Sequence, residues 1–106
     1  MSTIWDKLEQ INRHFEELGE QMASPEVIAN PKQLSNLAQQ RAGIEDVVAK
    51  YREYTETTRE LETTREMLND GLDKDMLLLV KQEVEKLTTK QDRLLQELKI
   101  SLGCKG

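Results

Sequence analysis

The sequence predicts an all-α fold, an elongated antiparallel helical hairpin of two long helices with a shorter N-terminal helix packed on it. Three observations carry this. Apolar residues recur at alternating steps of three and four along three separate stretches, the spacing of one helix face. Both prolines, Pro25 and Pro31, fall between the first and second stretches, and Gly71 falls between the second and third. Finally, of 106 residues 33% are charged, 37% hydrophobic and only 4% aromatic. The charged share exceeds the roughly 25% of an average globular protein. Such a composition builds helices that are apolar along one stripe and solvated elsewhere, and it falls short of the core that a compact enzyme with a deep pocket requires.

The first helix is expected over about 4–22. Ile4, Leu8, Ile11, Phe15, Leu18 and Met22 form its stripe. Ser2 or Thr3 caps its start, and Asp6, three residues after Thr3, gives a weaker form of the capping box. Pro25 stops the run, because its ring clashes with the preceding turn and it has no N–H. Ser24-Pro25 reads as the cap and first position of one helical turn, with Val27 and Ile28 expected to tuck in and pin it. Asn30-Pro31 repeats that pattern before the second helix.

The second helix is expected over about 31–69. Its stripe runs Leu34, Leu37, Arg41, Ile44, Val48, Tyr51, Tyr54, Thr58, Leu61, Arg65 and Leu68. Two consecutive steps of three, Val48 to Tyr51 to Tyr54, shift the phase as a stammer does. Gly43 is its interior glycine, the place where a kink would fall, at a cost of about 1 kcal/mol against Ala. At about 1.5 Å per residue the helix exceeds roughly 55 Å. Asn69-Asp70-Gly71 ends it, Gly71 suiting a left-handed terminal position.

The third helix is expected over about 73–100, capped by Asp73 or Asp75 and stopped at Gly103. Leu77, Val80, Val84, Leu87, Gln91, Leu94 and Leu98 make its seam. The short Gly71 link forces the two long helices antiparallel. Acid-to-base pairs Asp46–Lys50 and Glu83–Lys86 assist on the outer face, each by about 0.2–0.5 kcal/mol.

Net charge is −5, from 15 Lys and Arg against 20 Asp and Glu. The basic footprint of a nucleic-acid binder is missing overall. The longest apolar run, Met76 to Val80, is far too short for a membrane span. The first residues lack the basic and apolar regions of a secretory signal. With a single cysteine, Cys104, a reducing cytoplasmic setting is the simplest expectation.

Catalytic chemistry finds no footing. His14 is the one histidine, set among Arg13, Glu16 and Glu17, and reads as solvated surface. Cys104 has only Lys105 as a charged neighbour, so no base activates it. Asp70, Asp73 and Asp75 superficially resemble a calcium loop but lack its twelve-residue spacing and terminal Glu, and capping explains them better. No G-x-x-x-x-G-K-[ST] phosphate cradle is present. Tyr51-Arg52-Glu53-Tyr54 could stack on bases, yet Glu53, Glu56 and Glu60 oppose that, and Tyr51 belongs to the packing stripe. No catalytic, cofactor-binding or metal-binding residue is assigned, and no small-molecule ligand is expected.

Ser24-Pro25-Glu26-Val27-Ile28, Val47-Val48-Ala49-Lys50-Tyr51-Arg52-Glu53-Tyr54, Glu66-Met67-Leu68, Asp73-Lys74-Asp75-Met76 and Glu97-Leu98-Lys99 occur here in that order. In order and spacing they resemble the N-terminal domain of bacterial peptide chain release factor 1, a class I release factor, over roughly residues 4–100. Each motif alone is weak in a helical protein, and the ordered series is what gives specificity. The resemblance implies a non-catalytic helical arm of a translation termination factor, a factor that reads stop codons on the ribosome and triggers release of the nascent peptide. It further implies contact with the stalk base of the large ribosomal subunit and interplay with release factor 3. The family's Gly-Gly-Gln and Pro-x-Thr motifs do not occur in these residues, so no catalytic or codon-reading role carries over. Family members follow the last helix with a Leu-Pro-Lys-Asp-Pro-like segment. Ile100 to Gly106 departs from it, so the domain is expected over 1–102 with 103–106 a short non-family tail. A truncated domain with a foreign tail and a small stand-alone relative both fit that departure.

The working surface expected of such an arm is its exposed charged face and the hairpin tip around Asn69 to Asp75. Being acidic, it should favour basic ribosomal protein patches over RNA. The alternative is a stand-alone coiled-coil scaffold or a prefoldin-like chaperone subunit. The two differ in oligomeric state: seams satisfied within one chain predict a monomer, and open seams predict self-association.

Overall fold

The computed structural model describes residues 3–103. They form four helices in chain order: α1 (Ile4–Met22), α2 (Pro25–Ile28), α3 (Pro31–Met67) and α4 (Lys74–Ser101). Expectations that rest on Ser2 and on Cys104 to Gly106 lie outside the described residues. The chain divides into two compact units whose boundary in sequence falls between Tyr51 and Arg52, within α3.

In the first unit, Thr3 caps α1 with the reciprocal pair that the sequence suggests. Its Oγ1 accepts from the Asp6 N–H at 3.3 Å, and Asp6 Oδ2 accepts from the Thr3 N–H at 3.1 Å. The stripe is withdrawn from water as expected, with Leu8, Phe15 and Leu18 buried and Ile4, Ile11 and Met22 half-buried. Pro25 opens α2 behind Ser24, and Asn30 Oδ1 accepts from the Gln33 N–H at 3.2 Å to start α3. Leu18, Val27 and Leu37 form a buried cluster, with Met22, Leu34 and Ile44 packed against it. One expectation is corrected here. Val27 pins the turn, but Ile28 remains 57% exposed. Successive residues of a helix point about 100° apart, so a single turn inserts one of the pair and leaves the other in water.

Arg41, a charge in an apolar stripe, lies with its guanidinium carbon 3.9 Å from the centroid of the Phe15 ring. Gly19 makes room for it, since a Cβ there would sit 3.4 Å from Arg41 Nε. That Nε is buried without a hydrogen-bond partner, while the guanidinium gains the attraction of the Phe15 ring face.

In the second unit, the end of α3 and α4 make the antiparallel hairpin. Gln91 Nε2 donates to Thr58 Oγ1 at 2.9 Å, and Lys90 Nζ lies 3.3 Å from Glu53 Oε1. Both links straddle the connection at 68–73, as antiparallel legs require. The α4 seam is as the spacing predicts, with Val80, Leu87, Leu94 and Leu98 buried and Leu77, Val84 and Gln91 half-buried. Asp73 rather than Asp75 is the cap, its Oδ1 accepting from the Met76 N–H at 2.9 Å. The helix therefore starts one residue later than expected. At the far end Gly103 takes φ +73 beyond the capping residue Leu102.

The stripe of α3 needs two corrections. Thr57, 2% exposed, takes the buried position where Thr58 was expected, and Thr64 takes the half-buried place of Arg65, which is exposed. The run of threes extends one step further than the sequence suggests, Val48, Tyr51, Tyr54, Thr57, before the three–four alternation resumes through Leu61, Thr64 and Leu68. The second stripe is thus not the continuation of the first, and the shift coincides with the boundary between the units. Arg65 in the last turn gains from solvation and from the negative helix end.

α3 also ends at Met67, two residues before the expected 69. Leu68, Asn69 and Asp70 donate to carbonyls three residues back, at Arg65, Glu66 and Met67, which tightens the last turn before Gly71 reverses the chain at φ +67. By contrast, the helix passes through Gly43 uninterrupted, and nothing lies within 4 Å of where a Cβ would project. The same substitution should therefore have opposite signs at the two sites. Gly43→Ala is expected to raise unfolding free energy by about 0.5–1 kcal/mol, and Gly71→Ala to lower it by about 1–2 kcal/mol, both read from urea unfolding followed by circular dichroism.

Candidate functional site

The hairpin tip is built by the tightened turn after Met67, the reversal at Gly71 and the capped start of α4. Asp73 is committed to capping α4, while Asp70 and Asp75 are exposed. Among the described residues no three His, Cys, Asp or Glu side chains gather closely enough to hold a metal ion. The aspartates at 70, 73 and 75 are thus not brought together as ligands, and the capping role read from the sequence is what Asp73 performs.

Four large apolar side chains flank the turn and remain in water: Met67 at 38%, Met76 at 43%, Leu78 at 58% and Leu79 at 59% exposure. In sequence the run Met76 to Val80 stands out by its length. Its helical phase held the signal, since Leu77 and Val80 belong to the seam and Leu78 and Leu79 fall outside it.

Elsewhere the outer faces carry i,i+4 pairs: Arg13–Glu9 at 3.2 Å, Lys50–Asp46 at 3.2 Å and Arg93–Glu97 at 3.5 Å. Of the two pairs that the spacing predicts, Asp46–Lys50 and Glu83–Lys86, the first is among these. His14 is exposed beside a surface hollow that Gln10, Arg13 and Glu17 share. Tyr51 and Tyr54 are each half-buried, in keeping with a packing role. Among the described residues no helix is long and apolar enough to cross a membrane.

Residues 11–106 match the family model of the PCRF domain. The chain belongs to the PCRF domain family. This PCRF domain is similar to peptide chain release factor 1 of Ligilactobacillus salivarius, 36% identical over 102 residues that cover 96% of this chain and 28% of that protein. It is 37% identical over 97 residues to peptide chain release factor 1 of Oceanobacillus iheyensis, covering 92% of this chain and 27% of the relative. With that of Clostridium perfringens the identity is 35% over 99 residues, 93% of this chain and 28% of the relative. The PCRF chain therefore spans a little over a quarter of the length of the curated relatives it matches. No solved structure matches it. It is a PCRF domain of release-factor-1 type, and the Gly-Gly-Gln tripeptide is not among its residues.

The tip of this PCRF domain depends on the Asp73 cap. Asp73→Ala should cost about 0.5–2 kcal/mol in unfolding free energy, and amide exchange should quicken first at Met76, whose N–H loses its acceptor. Unchanged exchange at Met76 would contradict the capping role.

Proposed function

We propose that the chain acts as a ribosome-binding accessory domain of a translation termination factor, working in the cytoplasm. It helps place a stop-codon-reading factor on the ribosome, and contributes no chemistry to peptide release. The observation that supports this most is the similarity of nearly the whole chain to proteins named peptide chain release factor 1, combined with the lack of Gly-Gly-Gln and Pro-x-Thr among its residues. Its contacts on this reading are the stalk base of the large subunit and, functionally, release factor 3. The net charge of −5 favours basic ribosomal protein over RNA, because like charges repel across a few ångströms even where salt screens longer distances.

The test is competition. Ribosomes halted at a stop codon with peptidyl-tRNA in place are given a full-length release factor 1 and increasing amounts of this chain. The chain should slow peptide release by raising the apparent KM of the factor with kcat unchanged, and should release no peptide alone. Unaltered release at saturating chain, or release by the chain itself, would contradict the proposal.

A further inference from the structure

The chain carries four methionines and one cysteine, and its sulfur atoms divide sharply by environment. Met1 and Cys104 lie outside the described residues. Met22 is half-buried and packs against the cluster of Leu18, Val27 and Leu37. Met67 and Met76 stand 38% and 43% exposed. One is the last residue of α3 and the other lies in the first turn of α4, so a thioether in water flanks each side of the turn. Both positions fall outside the buried stripes, next to Leu68 on one leg and Leu77 on the other.

The fold does not call for sulfur at either place. Leu matches Met in helix propensity, and Leu78 and Leu79 stand in water in the same stretch. What methionine adds is the chemistry of its thioether. A sulfur lone pair attacks one oxygen of hydrogen peroxide, the O–O bond breaks, an S–O bond forms, and the second oxygen leaves as water. Sulfur is oxidised by two electrons and the peroxide is reduced by two. The product keeps the turn intact, because both residues hold it through backbone groups. The Met67 carbonyl accepts from the Asp70 N–H at 3.2 Å, and the Met76 N–H donates to Asp73 Oδ1 at 2.9 Å. Oxidation therefore changes the surface from apolar to polar and leaves the helices in place.

We propose that Met67 and Met76 form a paired, reversible oxidation site, with hydrogen peroxide as oxidant and a thiol-dependent methionine sulfoxide reductase as the restoring enzyme. In the reverse step the sulfoxide oxygen leaves as water while two thiols become a disulfide. The inference rests on the ribosome-binding function proposed above and adds a regulation to it: the chain holds the ribosome less tightly when both sulfurs are oxidised. The physical cause is desolvation, since a sulfoxide oxygen covered by a partner loses its water. Met22 is the contrast within the same chain, because its packing keeps peroxide away and its sulfur stays reduced.

The experiment treats the 106-residue chain with hydrogen peroxide, removes the peroxide, and adds dithiothreitol, which returns any disulfide at Cys104 to thiol and leaves sulfoxides untouched. Peptide mass mapping follows each methionine, circular dichroism follows the fold, and binding to untreated ribosomes follows function. Met67 and Met76 should gain oxygen several times faster than Met22, with helix content unchanged. The oxidised chain should bind ribosomes several-fold more weakly, and reductases acting on both sulfoxide epimers should restore its affinity. An M67L/M76L variant, which keeps Met22 and Cys104, should show the same affinity before and after peroxide. Oxidation of Met22 as fast as the other two would overturn the site. Equal affinity of oxidised and reduced chain, or an equal loss in M67L/M76L, would overturn the regulation and leave the ribosome-binding function standing. If the untreated chain does not bind ribosomes at all, the proposed function fails and the regulation falls with it, while the oxidation rates still decide whether the paired site exists.

Discussion

Withdrawal of one stripe of side chains from water along each helix is the constraint on which the rest of this chain depends. The helices cannot stand by propensity alone. The second half of α3 is dense in β-branched threonine, Thr55, Thr57, Thr58, Thr63 and Thr64, which loses side-chain freedom against the preceding turn. Thr63 and Thr64 return their hydroxyls to the carbonyls of Arg59 and Glu60, and Thr88 and Thr89 do likewise on α4, so these side chains satisfy themselves without tying the helices together. What remains is apolar burial at Leu61, Val80, Leu87, Leu94 and Leu98 in the second unit and at Leu18, Val27 and Leu37 in the first. The ion pairs play a minor part. Those on the outer faces are largely solvated, and pairs of that kind contribute about 0–1 kcal/mol.

The interruptions of the stripes give specificity. Gln91 is a polar residue in the otherwise apolar seam of α4, Thr58 stands beside the α3 stripe, and their hydrogen bond fixes how the legs of the hairpin align, much as a buried polar residue sets register in a coiled coil. Arg41 is the corresponding exception in the first unit, resting on Phe15 over the space left by Gly19. The run of threes from Val48 to Thr57 is a third, through which one continuous helix supplies a separate stripe to each unit.

Most of this architecture was legible in the residues. The three–four spacing, Pro25, Pro31 and Gly71 placed every helix, because heptad burial and proline sterics act locally and leave their mark in sequence. Legibility failed where a choice depended on helical phase in three dimensions. Thr57 and Thr58 are adjacent and chemically identical, so only the geometry of the hairpin decides which is buried. Val27 and Ile28 are equally apolar, and one turn of helix buries just one. The tightening of α3 after Met67 reflects backbone hydrogen bonding that composition does not encode. At the tip, Asp73 as a cap could be read from its position before an apolar period, whereas the outward turn of Leu78 and Leu79 emerged once the seam was fixed. The relationship to release factors lay in the order of short motifs, and no periodicity could have supplied it.

The central claim is that buried stripes, and not the many charges, hold the fold that presents the tip. It is tested most directly by comparing the unfolding free energies of Leu61→Ala and Glu53→Ala in urea. Leu61 is 2% exposed, while Glu53 and its partner Lys90 are close to half exposed. The account predicts a loss of about 2–5 kcal/mol for the leucine and less than about 1 kcal/mol for the glutamate. Equal losses, or a greater loss at Glu53, would contradict it.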